Sequence, residues 1–135
     1  MMQQLPPLKM INKFLLILTC FAFLSANTEQ EKEMALHHFM QGEFLMNQGN
    51  YALAVLEFQD AVDLDPNAAT IHISIADAYR RLGKGKRAED HLMIALDLDP
   101  KDLEAREILG QLYLAQNKFI DAELVFKELK ILDPN

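Results

Sequence analysis

The 135-residue chain is poor in several residue types on which function often depends. It has no tryptophan, one cysteine, five glycines and five prolines, and 20 acidic residues outnumber 13 basic ones. A single cysteine excludes an intramolecular disulfide framework. The shortage of basic residues disfavours nucleic acid as a partner, because phosphate binding needs patches of Lys and Arg. No strand-like alternation of apolar and polar residues occurs, and no Asn-x-Ser/Thr glycosylation acceptor is present.

The residues that could perform catalysis or bind a metal are scattered. His37 and His38 are adjacent, so on a helix they would point about 100° apart and could not share a metal ion. His72 and His91 lack a partner at ligand spacing. No phosphate-binding loop motif surrounds Gly83. We therefore predict no enzyme activity, no cofactor and no metal within these residues.

One basic cluster occurs in the middle of the chain. Its members are Arg80, Arg81, Lys84, Lys86 and Arg87. A solvated turn is one interpretation of this cluster, and a site for an anion or a lipid headgroup is the other.

What the chain does have is a regular period. Pro66, Pro100 and Pro134 are equally spaced, since 100 − 66 = 34 and 134 − 100 = 34, and each follows a Leu-Asp pair. A fixed period of this length is typical of stacked repeats. Each unit contains two stretches with apolar residues at three- to four-residue spacing, which predicts two helices. The proline ends the second helix because it cannot continue the hydrogen-bonding pattern.

Further positions recur in the same register. They are Gly42, Ala76 and Gly110; Leu45, Tyr79 and Tyr113; Ala54, Ala88 and Ala122; Phe58, Leu92 and Phe126; and Ala61, Ala95 and Leu129. This pattern resembles the tetratricopeptide repeat family, with Trp-x2-Leu-Gly-x2-Tyr, then Ala-x3-Phe, then Pro over about 34 residues. The family's tryptophan position holds His38, His72 and Arg106 here. The resemblance implies an all-α solenoid with a right-handed superhelical twist, made of helix-turn-helix repeats at residues 35–68, 69–102 and 103–135.

The repeat also predicts how each helix pair turns and packs. Gly49, Gly83 and Asn117 separate the two helices of a unit, and these residue types favour left-handed helix termini. We expect the small residues at the Gly42 position to face the alanines at the Ala54 position. The predicted interior consists of Leu45, Ala54, Phe58, Tyr79, Ala88, Leu92, Tyr113, Ala122 and Phe126.

The N-terminal segment, residues 1–26, lies outside the repeat register. Lys9 and Lys13 precede the apolar run Phe14–Leu24, and Ser25-Ala26 follows it. This order is typical of a secretory signal peptide, so we predict one at residues 1–26, with Met10 as a possible start. The alternative is a membrane anchor at residues 14–26. Residues 27–34 would form a short polar linker or a helix extension, and the location would be periplasmic or secreted.

Cys20 raises the possibility of lipid attachment. Thr19 stands where lipoprotein motifs have a small residue, and the apolar run continues after the cysteine, so the motif fits poorly. Membrane contact would otherwise come only from an uncleaved signal. Cleavage after Ala26 would remove two of the 13 basic residues and leave a net charge of 11 − 20 = −9.

These observations predict a protein-binding scaffold or adaptor of the cell envelope. In the family that the chain resembles, the first helices of the pairs line a concave groove that receives a peptide or a helix. The alternative is an N-terminal arm of a longer enzyme, or of an envelope or pilus assembly factor. Stepping along the chain by one repeat at a time predicts this groove: Phe39, Glu43 and Met46; Ile73, Asp77 and Arg80; Glu107, Gln111 and Leu114. Carboxylates in the groove favour a partner carrying Lys or Arg over an acidic tail.

Overall fold

The computed structural model describes the backbone of residues 8–134 and the side chains of residues 28–134. Its elements are α1 (Leu8–Asn47), α2 (Tyr51–Leu64), α3 (Ala69–Arg81), α4 (Gly85–Leu98), α5 (Leu103–Ala115) and α6 (Phe119–Leu132). Short turns join consecutive helices, which pack in the pairs α1–α2, α3–α4 and α5–α6. Each pair is a helical hairpin, and neighbouring hairpins pack through α2–α3 and α4–α5. The predicted all-α architecture is confirmed in the described part of the chain.

Helix α1 is much longer than the repeat predicts. We expected it to begin near Ala35, but it begins at Leu8 and has 40 residues. Residues 27–34 are therefore a continuation of the first repeat helix. The side chains of the predicted signal peptide, including Cys20, lie outside the described residues. Among the residues that are described, no helix is both long enough and apolar enough to cross a bilayer.

The turn inside each hairpin has one residue in the left-handed backbone region. These residues are Gly49 with φ of 77°, Gly83 with φ of 69° and Asn117 with φ of 59°. In the middle hairpin the amide of Lys84 donates to the carbonyl of Tyr79 at 2.8 Å, which satisfies a carbonyl at the end of α3. The predicted helix terminators are thus confirmed, and asparagine replaces glycine in the third hairpin as expected.

The two helices of each outer hairpin come close together where a glycine faces a phenylalanine ring. A Cβ atom added to Gly42 would lie 2.5 Å from Cδ1 of Phe58, and one added to Gly110 would lie 2.6 Å from Cζ of Phe126. The glycines therefore face these rings, and our expectation that they face the alanines one helical turn earlier was wrong.

At the corresponding positions, the middle hairpin has a larger residue than glycine on α3 and a smaller residue than phenylalanine on α4. Ala76 stands in place of the glycine and Leu92 in place of the phenylalanine. Both are fully buried in the same core cluster. One added methyl group on α3 is accompanied by a smaller side chain on α4, so the volume shared by the two helices changes little.

Among residues 28–134, the core consists of two clusters that meet at the middle hairpin. One joins α2 to α3 around Phe58 and Ile75, and the other joins α3 to α6 around Leu92 and Leu109. Tyr79 packs against both clusters. Of the predicted interior positions, the buried ones are Ala54, Phe58, Ala88, Leu92 and Ala122. The partly buried ones are Leu45, Tyr79, Tyr113 and Phe126.

Candidate peptide-binding cleft

A cleft of about 240 Å³ lies where the first helices of the three hairpins meet. Helices α1, α3 and α5 all contribute to its walls. The residues that line it are Glu43, Met46, Ile73, Ser74, Asp77, Glu104 and Ile108. The lining therefore combines three carboxylates with the side chains of one methionine and two isoleucines.

The cleft crosses the three helices obliquely. From α1 it takes Glu43 and Met46, which lie near the end of that helix. From α5 it takes Glu104 and Ile108, which lie one to two helical turns earlier in the repeat register. Equivalent positions of successive hairpins therefore do not all line the cleft. An extended peptide in this cleft would lie at an angle to the helix axes.

Two of the three carboxylates make contacts inside the protein. The hydroxyl of Ser74 donates to Oε1 of Glu43 at 2.8 Å, which links α3 to α1. Arg80 donates through Nε to Oδ1 of Asp77 at 2.9 Å, and Arg81 Nε lies 3.5 Å from the other oxygen of that carboxylate. Glu104 is exposed at the third wall. The cleft thus presents positioned acidic groups beside apolar surface.

The structure places the predicted groove residues in three different surroundings. Glu43, Met46, Ile73 and Asp77 line the cleft. Phe39 does not: its ring packs 5.8 Å from the ring of Phe58, centroid to centroid, against the core of the first hairpin. The continuation of α1 before Ala35 is consistent with this, because Phe39 also borders a hollow formed with Lys32 and Leu36.

The other predicted positions lie beside the cleft or beyond it. Arg80 reaches it only through its bond to Asp77. Glu107 borders a separate hollow between α5 and α6 and accepts a hydrogen bond from Gln111 at 3.1 Å. Leu114 is exposed. The stepped set of groove residues omits Ser74, Glu104 and Ile108, which line the cleft. A fixed step of one repeat misses them, because the cleft contacts each first helix at a different position in the repeat register.

The basic cluster is largely paired with its own neighbours. Arg80 and Arg81 bond to Asp77, and Lys86 bonds to Asp90 with Nζ 2.8 Å from Oδ1. The Lys84 ammonium and the Arg87 guanidinium lie over the Tyr79 ring, at 5.9 and 5.5 Å from its centre. These contacts favour the solvated-turn interpretation over a site for an anion.

The family's tryptophan position carries a polar contact between helices in each hairpin. In the first hairpin Nδ1 of His38 lies 2.8 Å from Oε2 of Glu57. In the middle hairpin Nδ1 of His72 lies 3.1 Å from Nδ1 of His91. The Nε2 atom of His72 also donates to the carbonyl of Pro66 at 3.3 Å. His72 is therefore the acceptor at Nδ1 when it is neutral, and His91 is the donor.

Arg106 fills the same position in the third hairpin. Its Nε lies 3.7 Å from Oε2 of Glu128 on α6, and its guanidinium donates to the carbonyls of Pro100 and Asp102. His72 and Arg106 thus both reach the carbonyl of the proline that ends the preceding repeat phrase. The histidine pairs were not predicted, because residues 19 positions apart approach each other only when the helices form the hairpin.

Two models of one protein family match overlapping parts of this chain. One, described as "TPR repeat", matches residues 42–83, and the other, described as "Tetratricopeptide repeat", matches residues 73–135. Residues 42–135 form a tetratricopeptide repeat segment. The resemblance inferred from the repeat register is therefore confirmed at the level of the family. The individual repeat boundaries stay predictions.

Curated relatives contain this segment within much longer chains. DnaJ homolog subfamily C member 3 of Bos taurus is 31% identical over 126 residues, which cover 90% of this chain and 24% of that protein. A protein O-mannosyl-transferase of Caenorhabditis elegans is 29% identical over 75 residues, which cover 56% of this chain and 11% of that protein. The chain thus spans about a quarter or less of the length of these relatives. Such a short match to a transferase does not assign transferase activity to this chain.

Solved structures share the arrangement of helices. The first tetratricopeptide repeat domain of Spaghetti (RPAP3) bound to the HSP90 peptide SRMEEVD has a TM-score of 0.74 and 27% identity, covering 77% of this chain and 82% of that chain. The first such domain of human RPAP3 has a TM-score of 0.73 and 28% identity over the same shares. The tetratricopeptide fold is generally a non-catalytic protein-interaction domain, so protein–protein interaction is the general function that these similarities support.

Proposed function

We propose that this tetratricopeptide repeat chain is a scaffold, built from three repeats, that binds a partner segment carrying Lys or Arg in the cleft between α1, α3 and α5. The observation that carries the proposal is the lining of that cleft. Glu43, Asp77 and Glu104 supply negative charge, and Ile73 and Ile108 supply apolar surface beside them. A segment with a basic residue next to an apolar one would match both features.

The charge of the cleft separates this chain from its structural neighbour. The peptide bound to the Spaghetti domain, SRMEEVD, contains two adjacent glutamates. Three carboxylates in the cleft of this chain would repel such a sequence, because like charges across an interface oppose binding. The partner class proposed here therefore has the opposite charge.

A pair of matched peptides tests this proposal. Fluorescein-labelled SRMEEVD and its charge-swapped form SRMKKVD would be titrated with the full-length chain, and fluorescence anisotropy would report binding. We expect the lysine peptide to bind and to lose affinity as salt rises, because screening weakens ion pairs. Asp77→Lys should weaken its binding about tenfold, equivalent to about 1.4 kcal/mol.

The matched control is Glu123→Lys, which changes the net charge equally on α6, away from the cleft. Glu123 is exposed and pairs only with Lys127 among the ion pairs of the described side chains. Binding by Glu123→Lys should equal that of the wild type. Tighter binding of SRMEEVD than of the lysine peptide, or equal losses in the two variants, would contradict the proposal.

An extracytoplasmic location is part of the same proposal, and its support is the sequence of residues 9–26. Cleavage after Ala26 would leave residues 27–47 of α1 at the start of the mature chain. Mass spectrometry of the natively expressed protein should find Asn27 at the N-terminus. An intact Met1 or Met10 would instead indicate an anchor at residues 14–26, and a lipid-bearing Cys20 would contradict cleavage at Ala26.

The second candidate is a tetratricopeptide arm of a longer enzyme or assembly factor. The observation that favours it is the size of the curated relatives, in which the matched segment fills 24% or less of the chain. The full reading frame decides between the two. Further repeats after Asn135 would support the scaffold, and a catalytic motif would support the arm.

A further inference from the structure

A cluster of three metal-ligating residues lies between α1 and α2, away from the proposed peptide cleft. His38 on α1 and Glu57 and Asp60 on α2 each offer one ligand atom, and these atoms all lie within 4.8 Å of one another. Nδ1 of His38 is already 2.8 Å from Oε2 of Glu57. His38 and Glu57 are partly buried, whereas Asp60 is exposed, so one side of the cluster is open to water.

The repeat architecture itself brings these positions together. In the middle hairpin His72 meets His91, and these residues are equivalent to His38 and Glu57. In the third hairpin Arg106 lies 3.7 Å from Glu128, the equivalent of Asp60. Since the same pairs of positions approach in the other hairpins, the placement in the first hairpin follows from the hairpin geometry rather than from one surface rotamer.

Only the first hairpin has a ligating side chain at all three of these positions. The middle hairpin has Ile94 in place of Asp60, and the third has Val125 in place of Glu57. The third hairpin also has a guanidinium, which cannot bind a metal ion, in place of the imidazole. The chain thus contains one complete set of ligands and two incomplete ones in the same geometry.

We propose that His38, Glu57 and Asp60 form a Zn²⁺ site that joins α1 to α2. Zinc accepts imidazole nitrogen and carboxylate oxygen together, and three protein ligands leave a fourth tetrahedral position for water. Carboxylates alone would suit Mg²⁺ or Ca²⁺, but the imidazole shifts the preference towards zinc. The ion would take the place of the hydrogen between Nδ1 of His38 and Glu57, and the neutral imidazole would then carry its proton on Nε2. The bound ion would stabilise the first hairpin by linking its helices.

Calorimetry on the metal-free, full-length chain tests this site. Isothermal titration with ZnCl₂ should show one ion per chain, and ZnCl₂ should raise the thermal midpoint, because a ligand that binds the folded state stabilises it. His37→Ala is the matched control, since it removes the neighbouring exposed imidazole and leaves the cluster intact. His38→Gln and Asp60→Asn should each weaken binding at least about tenfold. MgCl₂ should not raise the midpoint of any variant.

Asp60→Asn keeps the test decisive if His38→Gln disturbs the hairpin, because Asp60 is exposed. Equal zinc affinity in wild type and Asp60→Asn would overturn the proposal. So would loss of binding in His37→Ala, or the absence of saturable binding by the wild type up to roughly 1 mM ZnCl₂. Stabilisation by MgCl₂ equal to that by ZnCl₂ would indicate an unspecific effect on acidic surface and would also overturn it.

Discussion

The middle hairpin and the outer hairpins place different pairs of side chains at the same two positions between their helices. The outer hairpins place Gly42 and Gly110 against phenylalanine rings. The middle hairpin places Ala76 and Leu92 at the corresponding positions, and both residues are fully buried. The two residues have a similar combined volume in every hairpin. This is expected, because a close-packed interior tolerates volume-conserving changes best.

The polar contacts of the two regions differ in charge as well. His38 in the first hairpin faces a carboxylate, whereas His72 in the middle hairpin faces another imidazole. A carboxylate stabilises a protonated partner, but two imidazoles that share one proton cannot both be protonated without repulsion. A positive charge is therefore opposed by the second imidazole of the middle hairpin and favoured by the carboxylate of the first.

The largest expected effect on stability comes from adding an atom beside the Phe58 ring in the first hairpin. Gly42→Ala adds a Cβ atom that would lie 2.5 Å from Phe58 Cδ1. We expect a loss of about 1–3 kcal/mol in the free energy of unfolding from this overpacking. The higher helix propensity of alanine, worth up to about 1 kcal/mol, offsets only part of the loss. Urea unfolding followed by circular dichroism measures it.

The control for this prediction copies the middle hairpin. In a Phe58→Leu background, Gly42→Ala reproduces the Ala–Leu pair, so the cost of the added methyl group should fall clearly below its cost beside phenylalanine. The double-mutant cycle gives the interaction energy between the two positions. If Gly42→Ala lowered the free energy of unfolding equally in both backgrounds, the sizes of the two residues would not be coupled.

The second expected effect on stability concerns the turn of the middle hairpin, compared with that of the third. Gly83 has φ of 69° and a Cβ added there would meet no atom within 4 Å, so a substitution acts through the backbone alone. Gly83→Ala should lower the free energy of unfolding by about 1–2 kcal/mol. Gly83→Asn, which copies Asn117, should cost less, because asparagine tolerates the left-handed region. Thermal melting of both variants checks the order, and equal losses would contradict it.

The smallest effect is a dependence of stability on pH. Burial, and secondarily the charge of His72, lower the pKa of His91 below its ordinary value of 6.5, while Asp90 acts in the opposite direction. The ring of Tyr79 lies 5.8 Å from that of His91. The unfolded chain therefore binds this proton more readily, so the stability that His91 contributes is present above pH 6.5 and lost as the pH falls below that value.

His91→Glu tests this by giving the middle hairpin the polar pair of the first. Urea midpoints at pH 7 and pH 5 should differ less in the variant than in the wild type, because a carboxylate stabilises protonated His72. The His38–Glu57 pair is present in both proteins and does not affect the comparison. An unchanged difference would mean that other groups determine the response to acid.

The regular part of this fold was predictable from sequence because it depends on local rules. Apolar spacing predicts the helices, Gly49 and Gly83 predict the turns, and the Asp-Pro pairs predict where the second helices end. Helix α1 was the exception. Its continuation to Leu8 crosses the boundary between the predicted signal peptide and the repeats, and composition changes at that boundary without a residue that breaks a helix.

The cleft was less predictable, since it depends on relations between hairpins. A fixed step of one repeat assumes that the same register positions line the cleft in every hairpin, so it includes Glu107 and omits Glu104. The contacts His38–Glu57 and His72–His91 join residues 19 positions apart, and no periodic pattern within one helix indicates them. Both features follow once the packing of the helices is known.

The pairing of small and large residues between helices also bears on how a repetitive sequence avoids folding incorrectly. A chain with three similar hairpins could join the first helix of one to the second helix of another. If α3 paired with α2 in place of α4, the methyl group of Ala76 would meet the ring of Phe58. If α1 paired with α4, a gap would open between Gly42 and Leu92. Each wrong partner thus carries a steric or a cavity penalty, which selects the correct hairpins during folding.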